Sequence, residues 1–180
     1  GGRAVIGDSI MATQDTYDQR IYAVGKGPSQ TTVEAPKVGV PEGSSVMICG
    51  TVMDISAGTS APEVAARFPN GVAAVADESM SDWMGYVYKN FPFPVPHVFG
   101  VDVTIDVIDA NGNFRNIGTA QTDANGFYSL PWTPDIYGPY TVIATFPGSG
   151  GYYPSYAEAA FVVDQAPEPT AAPEATPAPQ

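Results

Sequence analysis

Two loops place side-chain oxygens at alternate positions around a glycine: Asp109, Asn111 and Asn113 about Gly112, and Asp123 and Asn125 before Gly126. Hard oxygens so spaced are what Ca²⁺ loops use. Neither loop continues to the glutamate that completes an EF-hand, and Asn-Gly is also a hairpin turn signal. A structural turn is the simpler reading, with Ca²⁺ as the alternative, and no other cofactor is expected. His97, the only histidine, stands between Pro96 and Val98 as a loop residue with no catalytic partners in view. Asp102 and Asp106 share a strand face about 13 Å apart by strand rise, too far for a carboxylate dyad. Asp77, Glu78 and Asp82 read as helix-start charges, with Asp77 as N-cap. Without a nucleophile–base pair, a phosphate loop or a metal cluster, the expectation is a protein that is not an enzyme.

The aromatic residues Trp83, Tyr86, Tyr88, Phe91, Phe93 and Phe99 offer a different chemistry. Their planes suit sugars and interface anchors alike. Packing of Trp83 and Phe91 on a sheet face is the simpler use. The functional alternative is a partner-binding surface of Trp83, Tyr86, Phe91 and Phe93, for a polysaccharide or a surface protein.

The elements that must hold these residues are mostly strands. With 19 Gly and 18 Pro in 180 residues, the composition favours turns and short strands. A hydrophobic content of 44% supports a core, whereas charged residues make up only 14%. The net charge of −12 argues against nucleic acid or an anionic membrane as partner. No apolar run is long enough for a transmembrane helix. The start at Gly1-Gly2 fits a processed or shortened chain. Cys49, the only cysteine, excludes an intrachain disulfide and reads as a small buried hydrophobe.

Along the chain, Arg3–Ile10 and Arg20–Val24 alternate and read as a hairpin closed by residues 25–28, marginal by itself in water. Residues 29–36 suit a first sandwich strand, Val40–Gly43 a turn, and Ser45–Ile55 a long central strand. Ala57–Asn70 is loop-like. Asp77–Asn90 reads as one amphipathic helix, with Met80, Trp83, Met84, Val87 and Tyr88 on its apolar stripe. Phe91–Pro96 leaves it in an extended, polyproline-like form. Val101–Ile108 alternates cleanly, and Phe114–Gln121, Phe127–Leu130, Tyr140–Phe146 and Ala157–Val163 complete the strands. From Gln165 the sequence QAPEPTAAPEATPAPQ has the composition of a disordered or polyproline stalk.

Three motifs carry a resemblance: T-D-x-x-G-x-[FY] at Thr122, G-x-Y-x-V-x-A-x-[FY] at Gly138–Phe146, and Gly148–Ala157 with its paired tyrosines. Residues 29–164 resemble the immunoglobulin-like repeats of bacterial and archaeal surface proteins. Residues 1–28 resemble the last strands of a blade in quinone-type β-propellers. The whole order resembles the C-terminal part of archaeal cell-surface proteins. The resemblance implies an all-β fold, an immunoglobulin-like antiparallel sandwich over 29–164; the helix-bearing insertion at 56–97 departs from the family pattern, and an N-terminal β-hairpin at 1–28 and a Pro/Ala-rich tail at 165–180 flank the sandwich. It implies an extracellular or cell-surface structural module. Because a hairpin that cannot stand alone invites strand donation between copies, a homo-oligomer or filament is the expected partner state.

Overall fold

The computed structural model describes residues 4–165; the tail beyond Gln165 lies outside the described residues. Alternation of apolar side chains sets the architecture. In β6 (Val46–Asp54), even positions are buried and odd ones are not. β8 (Asp102–Ile108) and β11 (Gly138–Phe146) alternate likewise, with odd positions buried in β8 and even ones, from Tyr140 on, in β11. Each strand therefore has one face that needs an opposing layer, and two sheets supply it to each other. One sheet runs β10 (Phe127–Trp132), β6, β4 (Ser29–Thr31), with β7 (Val72–Ala73) also on β6. The other runs β5 (Val40–Pro41), β12 (Ser155–Asp164), β11, β8, β9 (Phe114–Gln121). All pairings are antiparallel except that of β5 with β12.

This partition is that of an immunoglobulin-like sandwich in which the fourth strand joins the second sheet. Ile48, Val52, Val103, Ile105, Val107 and Val142 have no exposed surface in the core between the sheets. Burying each such side chain contributes about 1.5–3 kcal/mol. Tyr140, near the start of β11, is 1% exposed, stacks on Phe161 with centroids 5.4 Å apart, and accepts a hydrogen bond from the Ile136 amide at 3.2 Å. That bond back to a residue just upstream is the tyrosine corner of such sandwiches. Across the core, the Tyr128 hydroxyl donates to Thr32 O at 2.6 Å. A Cβ at Gly50 would lie 2.6 Å from that hydroxyl and closer still to Thr32 O, so only glycine fits there.

Several local expectations change. Cys49 occupies an odd position of β6 and is half-buried on the outer face, because strand parity reserves the core for its neighbours. Val40–Pro41 is a strand, with Val40 buried against β12; the turn begins only at Glu42. Ala57–Asn70 contains a 3₁₀ turn at Ala57–Ser60 and α1 (Pro62–Arg67), with proline at the helix start. The expected helix at 77–90 is a 3₁₀ turn, Asp77–Ser79, continuing into α2 (Met80–Lys89) and ended by Asn90 in the left-handed conformation.

The N-terminal hairpin carries an additional strand. Asp8 and Ser9, with φ of 49° and 64°, reverse the chain inside the run expected to be one strand. The result is a meander of β1 (Ala4–Gly7), β2 (Ile10–Asp15) and β3 (Arg20–Val24). None of its residues is buried. Polar ties hold it to the body: Lys89 Nζ meets Asp15 Oδ2 at 2.5 Å, and Arg20 pairs with Glu63 at 3.0 Å.

Candidate functional site

The insertion is a second small core laid against the sandwich. Val64, Val72, Val75, Trp83 and Val87 are buried together, and Met80 and Met84 pack against both this cluster and the main one. Asp77 does not cap the helix. Its carboxylate accepts the amides of Gly150 at 2.8 Å and Gly151 at 2.9 Å, tying the insertion to the β11–β12 loop. The Gly150 amide foremost, with that of Gly151, lowers the Asp77 pKa below the ordinary carboxylate value.

Of the expected partner residues, three gather and one stands apart. Trp83, Tyr86 and Phe93 form an aromatic cluster with Phe68, with centroid separations of 5.3–6.3 Å and mostly edge-to-face pairs. Trp83 is only 2% exposed and its indole N–H donates to Ala73 O, so it is the floor of the cluster and not its surface. Phe93 is 46% exposed and Tyr86 half-buried. Phe91 turns away and lies over Gly85, where an added Cβ would come within 2.5 Å of its ring. There it borders a separate cleft of about 1270 Å³ between the meander and the body.

Beside the cluster runs a cleft of about 370 Å³, lined on one side by the insertion and on the other by the turn before β10. Sequence reasoning missed, among its contributors, Arg67, Phe68, Asn70 and Phe127. The outward parity of Phe127 after the Asn-Gly turn was the one available signal. Arg67 donates to Tyr86 O, Val87 O and Asn90 Oδ1, closing the C-terminal end of α2, and sits 4.9 Å from the Tyr86 ring centroid.

The Asp/Asn loops are tight turns. Asp109 Oδ1 accepts the Asn113 amide, which foremost lowers its pKa, together with the Asn113 side chain and the Asn111 amide. Asp123 Oδ1 accepts the amides of Asn125 and Phe127. Among the described residues, no three His, Cys, Asp or Glu side chains converge as a metal site. His97 is exposed beside Phe99. Asp106 accepts from Asn116 on the outer sheet face, and Asp102 is exposed on the same strand.

Asp54 is a buried carboxylate, 4% exposed, whose Oδ1 accepts both the amide and the hydroxyl of Ser56. Burial, reinforced by Asp54, raises the Tyr88 phenol to about 12 and raises Tyr152 further.

No protein-family model and no curated protein sequence matches the chain. Among solved structures it is similar to a "tetra-tandem repeat in extending region of large adhesion protein" at 19% identity and a TM-score of 0.46. The overlap covers 86% of this chain and 30% of that one. No helix among the described residues is long and apolar enough to cross a membrane.

Proposed function

We propose that this chain is a non-enzymatic structural module of a cell surface that associates with further copies of itself by strand addition at β1. The observation that carries the reading is the edge of the meander, which no strand among the described residues covers. β1 is the terminal strand of its sheet, uncharged, and Val5 and Ile6 are 71% and 76% exposed on its two faces. The sandwich treats its edges differently. β5 covers β12, and a register shift at Ile105/Asp106 with Gly118 at φ 147° interrupts the β8–β9 ladder. Edges so managed resist pairing, whereas an unbroken apolar edge is a template for it. A second β1, laid antiparallel, matches the backbone donors and acceptors of the first and covers Val5 and Ile6 in both copies. The segment at 165–180 would then serve as a spacer, by its composition.

With a net charge of −12 per copy, repulsion opposes the contact. Association should therefore strengthen as salt screens it. The test is sedimentation and negative-stain microscopy of the chain and of Ile6→Lys across a salt series. Assembly that grows with salt and is lost in Ile6→Lys supports the reading. A wild-type chain that stays monomeric at high concentration and high salt, or assembly indifferent to the variant, overturns it.

A further inference from the structure

We propose that the cleft between the insertion and the turn before β10 is a binding site for a neutral oligosaccharide. The cleft combines two kinds of surface. Tyr86, Phe93 and Phe127 supply ring surface over the buried Trp83, with Phe127 48% exposed at the rim. A sugar ring carries an apolar C–H face that packs on such rings, and hydroxyls at its edge that need donors and acceptors. Those are present: Asn70 and Asn125 line the cleft, both exposed, with the Tyr86 phenol. Among the described residues, no hydrogen bond within the chain engages either side-chain amide or the phenol; Asn125 is held only through its backbone amide. The volume, about 370 Å³, lies at the small end of the range for small-molecule clefts, about 300–1,000 Å³.

Charge decides the class. The chain has 19 acidic residues, yet among the described residues no carboxylate lines this cleft. Its one cation, Arg67, is committed to the carbonyls that end α2 and to Asn90. The lining therefore offers neutral donors and acceptors and neither a free charge to pair with an ionic ligand nor one to repel a neutral one. The rigid side of the site is set by packing: α2 is anchored through Trp83, and the opposite wall by the turn that Asp123 closes on itself. This inference stands on observations separate from the β1 edge.

The experiment uses the full chain, labelled with ¹⁵N, titrated with cellohexaose, laminarihexaose, mannohexaose and chitohexaose, and with an oligogalacturonate as the charged counterpart. Binding of at least one neutral oligosaccharide, with shifts confined to the Asn70 and Asn125 side-chain amides and to backbone signals of Tyr86 and Phe127, is the expected result. Tyr86→Phe keeps the ring that packs on Trp83, and Asn125→Ala removes an exposed amide, so the fold is retained. Each should weaken binding about threefold to tenfold, the loss of one net hydrogen bond. No response to any neutral oligosaccharide, a response to the oligogalacturonate alone, or affinity unchanged in both variants overturns the assignment.

Discussion

The sandwich and the N-terminal meander are written in the same alternating pattern and end in opposite states. In β6 every second side chain is buried; in β2 none is. Apart from the short β5–β12 contact both regions pair antiparallel, and both carry Val and Ile on their strands. The difference is that the sandwich has two layers and the meander one. Alternation makes a strand, but burial comes only from an opposing surface. Two similar sheets in one chain thus contribute very differently to stability.

The sharpest way to break that contrast is a matched pair of substitutions. Ile105→Ala in the core should cost about 2–5 kcal/mol in urea unfolding, the range for deleting a buried isoleucine side chain. Ile21→Ala in the meander, where the residue is 77% exposed, should stay within about 0.5 kcal/mol. Equal costs would mean that the meander is packed in solution against something. Next in size is Tyr140→Phe, which keeps the ring and deletes the acceptor of the Ile136 amide. It should cost about 1–2 kcal/mol by the same assay; no loss would show that the corner contributes only its ring.

A smaller effect separates the regions by pH. The phenols of Tyr128 and Tyr152 are raised by burial, so folding favours their neutral form. That contribution is complete below the unfolded tyrosine value of about 10 and is lost as pH climbs toward the raised folded values. In the acid direction, the Arg115 guanidinium holds Asp135 down to about 2. Its contribution is present above the unfolded value of about 4 and fades as pH falls from there toward 2. Tm should accordingly be flat from about pH 5 to 9 and fall on both sides. Tyr152→Phe should blunt the alkaline limb, and an unchanged limb would locate the sensitivity elsewhere. The smallest expected effect is none at all: EDTA should leave Tm unchanged, because both oxygens of Asp109 and Oδ1 of Asp123 accept hydrogen bonds within their own turns. A drop on chelation would restore the Ca²⁺ reading.

Much of the sandwich was legible because its strands obey parity over long runs. The inward faces of Val101–Val107 and Tyr140–Phe146 follow directly from alternation, and the two Asn-Gly turns fall where their chemistry demands. What escaped was set by context or by brevity. Val72–Ala73 is too short to show a period and is a strand only because β6 has an edge to offer. Asp77 has the residue type and position of a cap, but the Gly150 and Gly151 amides compete for its carboxylate and win. Asp8-Ser9 gave no glycine to announce its reversal. At the site, the stripe on α2 placed Trp83 inward, yet nothing local said that Phe91 would turn away from its fellows. Asn70 and Phe127 come from distant stretches, so only the fold brings them to one cleft.

The parallel contact of β5 with β12 bears on how the domain would respond to tension. Val40–Pro41 belongs to the early part of the sandwich and Val163–Asp164 to its last strand. When two parallel strands are pulled from the start of one and the end of the other, their hydrogen bonds lie across the direction of sliding and are strained together. An antiparallel pair pulled from its open end gives way like a zipper, one rung at a time. The Gly27 and Tyr152 bridge is parallel as well, and lies ahead of β5 in the chain. A stretching force entering at either side of the sandwich would therefore meet two shear clamps before any strand of the core could peel.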